Sequence, residues 1–226
     1  MNQRLQLGLY LGLAVGLAWV PGVHVPLKWF ETLFHESSHA LAAVLTGGHV
    51  ARLSLAWNGS GLTWSSGGFR PLVSFAGYAG AIGWGTLLYR MATSMAPRTV
   101  RYLIGTLAVA ACLEVVFWLA WDGISELIMG TLLLLLGLLW HPRAARWAKP
   151  ALRLIGAYVL MSALVSPTYI LQTGQTGDND AKALAHMLWV PSVVWVGIWL
   201  ALGLLAIVSL YRTAARLDRQ RGSTGA

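Results

Sequence analysis

The sequence predicts an all-α polytopic membrane protein with about six or seven transmembrane helices and one short β-hairpin. Three observations carry this. The 226 residues are 57% hydrophobic and 11% charged, with a mean hydropathy of +0.62, whereas soluble domains hold about 25% charged residues. The apolar residues fall in long runs separated by short segments rich in Pro, Gly and Arg. One stretch, His49 to Ser66, instead alternates with a period of two around Asn58-Gly59, the signal of a hairpin. At about 20 residues per crossing, the length holds a single membrane domain, residues 1–221. The short tail 222–226 is expected to be disordered.

The first apolar run, Leu5 to Val20, follows Arg4 and ends at Pro21-Gly22. No small-residue cleavage pattern follows it, so it reads as a retained span or signal anchor. Pro26 opens the second helix, Leu27 to Leu45, and Gly47-Gly48 closes it. The hairpin comes next, and in a helical membrane protein its backbone must be sheltered from lipid at an interface or cavity wall. The third span, Pro71 to Met91, carries Gly77, Gly80, Gly83 and Gly85, a small-residue face suited to close helix packing. The fourth runs from Val100 to Trp121 with Glu114 inside it, the fifth from Ile124 to Trp140, and the sixth from Ala151 to Leu171. The polar loop Gln172 to Lys182 leads to the last span, Leu188 to Leu210.

The net charge of +8 does not point to nucleic acid, because cations collect in cytoplasmic loops of membrane proteins. Arg90/Arg98/Arg101, the segment His141 to Arg153 and the Arg-rich C-terminus belong on that side; Asp122 and Asp178/Asp180 face the other. One arrangement that places Arg4 inside as well has the second helix and hairpin form a re-entrant excursion with no net crossing. The one cysteine, Cys112, lies in an apolar run and forms no internal disulfide. Nothing in the sequence reports an oligomeric state.

The chemistry centres on His35-Glu36-Ser37-Ser38-His39. On a helix, positions i and i+4 share a face, so both imidazoles can address one metal ion. Glu36 can then take a proton from a metal-bound water. A catalytic zinc usually has a third protein ligand. The chain holds eight acidic residues; with Glu36 assigned as base, Glu114, Asp122, Glu126, Asp178 and Asp180 remain open as partners. His24, His49, His141 and His186 stand alone in the sequence.

The run from His35 through Ala42, followed by Leu45-Thr46-Gly47-Gly48, resembles the site-two-protease class of intramembrane zinc metallopeptidases, in its compact bacterial and plant branch. The similarity extends to Phe75-Ala76-Gly77-Tyr78-Ala79-Gly80, to Asn179-Asp180-Ala181 with Leu184-Ala185, and to Pro191, Trp195 and Trp199. The resemblance implies Zn2+ as cofactor, Glu36 as catalytic base, and His35, His39 and Asp180 as metal ligands. Asp122 is the alternative third ligand, since Trp121-Asp122-Gly123 matches the Asp-Gly of other members. Glu114 or Asp178 would come after these. The chain departs from the pattern in lacking an Asn-Pro before that Asp-Gly, and in carrying Asn179 where the compact branch has Ser. The resemblance further implies a multi-pass protein of the bacterial inner membrane, in contact with the lipid bilayer and with membrane-protein substrates. The hairpin could then hold an unwound substrate segment by strand addition. The competing expectation is a catalytically inactive relative acting as a scaffold or a metal-binding or transport protein.

Overall fold

The computed structural model describes residues 2–172 and 179–223. Asp178, most of the loop after residue 172, and residues 224–226 lie outside the described residues. Eight α-helices and one two-stranded sheet are described. They are α1 (Gln3–Ala18), α2 (His24–Leu45), β1 (His49–Leu55), β2 (Gly61–Ser66), α3 (Arg70–Ser94), α4 (Pro97–Phe117), α5 (Ile124–Trp140), α6 (Ala145–Gln172), α7 (Asp180–Leu188) and α8 (Ser192–Ser223). The fold is therefore mostly all-α with one hairpin, as the hydrophobic pattern predicts.

By length and apolarity four helices qualify as membrane spans: α3, α4, the helical stretch 142–169 containing α6, and α8. The expectation of six or seven is not reached on these criteria. Helix α5 is apolar but has 17 residues, α1 has 16, and α2 interrupts its apolar surface with Lys28, Glu31 and Glu36.

Helix α3 is the central element, packed most extensively on α6 and α2. Two glycines make the α3–α6 crossing possible. A Cβ on Gly85 would lie 2.6 Å from the backbone nitrogen of Leu160, and one on Gly156 would lie 2.7 Å from that of Tyr89. The core around this crossing includes Leu88, Ile104, Leu132, Leu152, Val159 and Leu160, all fully buried.

Polar contacts gather one set of helix ends. The Asp218 carboxylate accepts from the backbone of Gln3 at 2.6 Å and from Arg4 Nε at 3.3 Å. Arg153 donates to Gln6 Oε1 at 2.6 Å, Lys149 to the Met95 carbonyl at 2.6 Å, and Arg101 to the Trp140 carbonyl at 3.0 Å. The start of α1 and the end of α3 thus share one end of the bundle, so α2 and the hairpin together add no net traverse between them.

The hairpin forms where the alternation placed it, in the antiparallel register His49↔Ser66 to Leu55↔Gly61 with an irregularity between Val50 and Arg52. Asn58 Oδ1 accepts from Ser60 N at 3.0 Å, and Gly59 takes a φ of +76°, a conformation open to glycine. The turn rests on α2: the Gly59 carbonyl accepts from Thr32 Oγ1 at 2.6 Å.

Several boundaries differ from the sequence expectation; the last helix, for one, runs on to Ser223 instead of ending at Leu210, so residues 222 and 223 of the expected disordered tail are helical. Helix α4 stops at Phe117 rather than at Trp121, because Trp118–Ala120 pair with β1 instead: Leu53 N donates to the Trp118 carbonyl at 2.6 Å and Ala120 N to the Leu53 carbonyl at 2.7 Å. This segment occupies the outer edge of β1. Helix α6 begins at Ala145 rather than Ala151 and holds Pro150 and Pro167 within it. Asp180 is the first residue of a short helix, α7, capped by Asn179, and not part of a loop. Trp189, at φ 58°, ends α7, so the last long helix starts at Ser192 rather than Leu188.

Candidate metal centre

Helix α2 presents His35 and His39 one turn apart, and the N-terminus of α7 brings Asp180 to them. The His35 and His39 Nε2 atoms are 3.1 Å apart. Asp180 Oδ2 lies 3.2 Å from His35 Nε2 and 3.3 Å from His39 Nε2. Tetrahedral zinc with bonds of about 2.0–2.1 Å separates neighbouring ligand atoms by roughly 3.3 Å, so this donor set fits the ion. Among the described residues these three form the group of His, Cys, Asp and Glu side chains able to share a metal.

The surroundings orient each group. His39 Nδ1–H donates to the Val73 carbonyl at 2.6 Å, which leaves Nε2 as the lone-pair nitrogen. The ring of Tyr78 stands edge-on to His35 at 4.5 Å and rests on Trp199 at 4.8 Å. Trp199 is fully buried and donates to the Phe75 carbonyl. Helix α3 can pass this closely because Gly77 has no side chain: a Cβ there would lie 2.4 Å from His39 Nε2 and 2.6 Å from His35 Nε2.

Glu36 is buried and points to the hairpin. Thr63 Oγ1 donates to Glu36 Oε2 at 2.8 Å and lies 3.1 Å from the Glu36 carbonyl. Gly61 makes room beside it, since a Cβ there would meet Glu36 Cγ at 2.7 Å. The two serines of the motif are spent locally, Ser37 on the Leu33 carbonyl and Ser38 on the Phe34 carbonyl.

Two cavities meet at His35, Glu36, Gly61 and Tyr78. The larger, about 570 Å³, runs along β2 from Gly61 to Ser66 and is walled on the other side by Arg70, Asn179 and Asp180. The smaller, about 240 Å³, extends past the hairpin turn to Lys28, Glu31 and Ser166. Glu31 is paired there with Lys28. In the larger cavity Asn179 Oδ1 caps α7 by accepting from Lys182 N at 3.0 Å, while its buried Nδ2 has no partner among the described residues.

The other carboxylates considered from sequence lie elsewhere. Asp122 caps α5, accepting from Ser125 N at 2.7 Å, Ser125 Oγ at 2.9 Å and Ile124 N at 3.0 Å. The Ser125 backbone N–H foremost, with the Ser125 hydroxyl and the Ile124 N–H, holds its carboxyl below the ordinary aspartate range. Glu126 accepts from the backbone of Asp122 and Gly123. Glu114 lines an apolar cavity of about 250 Å³ between α2, α4, α5 and α6, together with Ser37 and Phe34. None of the three joins the histidines. Thr63, Val73 and Gly61 were given no role from sequence, and Tyr78 entered only within the Phe75–Gly80 run of the resemblance; the glycine-rich face of α3 hinted at the close approach at Gly77.

No curated protein and no solved structure matches the chain. Residues 9–210 match the family model described as Peptidase M50B-like. With nearly the whole chain covered and a His/His/Asp cluster on its second helix, the protein belongs to this family, the site-2-protease family of intramembrane metallopeptidases.

Proposed function

We propose that the protein is an intramembrane zinc endopeptidase, a multi-pass protein of the bacterial inner membrane, that hydrolyses peptide bonds of membrane-embedded or membrane-proximal protein segments. The observation that carries this reading is the spacing of 3.1–3.3 Å among His35 Nε2, His39 Nε2 and Asp180 Oδ2. Zinc held there would acidify a bound water and polarise the scissile carbonyl.

The chain's own residues account for the remaining roles. Glu36 takes the water proton and delivers it to the leaving amine as the amide C–N bond breaks and the hydroxyl adds to the acyl carbon. Thr63 fixes the Glu36 carboxylate by donating to Oε2, so that Oε1 serves as the proton acceptor. Val73 sets the tautomer of His39. A substrate segment must be extended before its amides are accessible, and β2 offers the edge for it. The outer edge of β1 is taken by Trp118–Ala120, whereas β2 borders the large cavity. A substrate strand added there crosses the metal centre beside Glu36. The Asn179 amide, without a partner among the described residues, is a donor for a substrate carbonyl in that groove.

Metal analysis of the purified protein tests the assignment. The wild type should hold one zinc per chain. Glu36→Gln should keep it and lose proteolysis of a single-span reporter, whereas His35→Ala and Asp180→Ala should lose it. Asp122→Ala should keep both zinc and activity. Absence of zinc from the wild type overturns the enzyme reading in favour of an inactive scaffold, and zinc loss in Asp122→Ala overturns the ligand set.

A further inference from the structure

Charge is divided sharply between the two ends of the bundle, along the line that the loop pattern of the sequence implies. The end gathered by Asp218, Arg153 and Lys149 collects Arg4, the Arg90–Arg101 connection, the Arg143–Arg153 segment and the Arg212–Arg221 stretch of α8. These are twelve of the chain's sixteen cations. Asp218 is the one carboxylate among them. The opposite end holds four cations, Lys28, Arg52, Arg70 and Lys182, beside Glu31, Glu36, Asp122, Glu126 and Asp180. Short cation-rich segments flanking spans are retained in the cytoplasm.

The metal group belongs to the cation-poor end. Val73 and Gly77, the α3 residues against the imidazoles, are three and seven residues beyond Arg70. At 1.5 Å per residue they lie only about 5 and 10 Å along the axis from the start of α3. The cation-rich end of α3, by contrast, is more than 20 Å further on by the same rise. The large cavity also opens at this end, lined by Ser66, Arg70 and Asn179. The end of α4 and the start of α5 lie there too, tied to β1 through Leu53 and Leu55.

From these three observations we infer that the metal centre opens on the non-cytoplasmic face of the membrane, within about 10 Å of that end of the helices. Its substrates are then protein segments presented at the non-cytoplasmic interface. Resting on the peptidase reading, this sets the outcome of cleavage: the outward portion of a substrate is released, and its cytoplasmic portion stays anchored. A cut at the other end would free a cytoplasmic domain instead.

Cysteine accessibility tests the orientation without using the chemistry. In a Cys112→Ser background, Asn58→Cys places a thiol at the exposed hairpin turn, and Ser94→Cys places one at the exposed end of α3. Intact bacterial cells are treated with a membrane-impermeant maleimide under conditions that leave a cytoplasmic marker unlabelled. Asn58→Cys should label fully, and Ser94→Cys should label only after lysis. The reverse pattern, or equal labelling of both sites, overturns the inference. The zinc content of each purified variant should equal that of the wild type, which shows that the site is intact. Zinc-free wild type with the expected labelling would sink the peptidase reading and leave the orientation standing; a zinc-loaded protein with reversed labelling would do the opposite.

Discussion

The proposed site depends on side chains that hold other side chains. Thr63 keeps Glu36 in place through a hydrogen bond to Oε2; bonds to charged acceptors contribute about 1.5–3 kcal/mol. Thr63→Val should therefore lower kcat about ten- to a hundredfold with KM and zinc content little changed, and Thr63→Ser should restore most of the rate. Equal kcat for the valine variant would remove Thr63 from the mechanism. Gly77 acts by having no side chain. Gly77→Ala sets a methyl 2.4 Å from His39 Nε2, and the purified variant should lose zinc while circular dichroism stays helical. At this scale the sequence showed what local spacing can show. His35, Glu36 and His39 are legible because helix geometry alone sets them on one face. Asp180 came from resemblance to a family, and Thr63 and Val73 from neither, because a threonine in a strand carries no mark of which carboxylate it will meet.

Among the elements, the connection between α4 and α5 has a defined structural task. Asp122 caps α5, and Ser125 passes the link on to β1 by accepting from Leu55 N at 3.0 Å. Loss of such a cap costs about 0.5–2 kcal/mol, so Asp122→Ala should lower the melting temperature by a few degrees. The gap has a pH dependence of known sign. The folded carboxyl titrates below the ordinary value near 3.9, so its contribution is complete above that pH and fades as pH falls through the folded value. Melting curves of wild type and Asp122→Ala should converge on acidification below about pH 4; a constant gap would refute the charged cap. Hairpin and helices were readable from periodicity. Helix α7 was not, because nine residues after a polar loop give too little pattern, and Trp118–Ala120 read as the end of an apolar span because apolar composition does not report a β-bridge.

Across the whole molecule the bundle is pinned where α3 and α6 touch backbone to backbone. Gly85→Ala or Gly156→Ala forces a methyl into main-chain atoms at 2.6–2.7 Å. Overpacking of this kind costs about 1–3 kcal/mol, and either variant should unfold several degrees lower in detergent; an unchanged melting temperature would mean that the crossing is looser than described. The membrane class was legible from composition, but the span count was not, because α1, α2 and α5 are apolar enough to suggest crossings yet too short or too charged to qualify. One feature of the hairpin governs the pace of the proposed reaction. With Trp118–Ala120 seated on β1, the ribbon can lengthen sideways by a single strand. Only one polypeptide is then processed at a time, and the cleaved piece lying on β2 must peel away before another can dock. An extended peptide mimetic that stays on β2 would therefore act as a competitive inhibitor, and a rigid helical one of the same sequence would not.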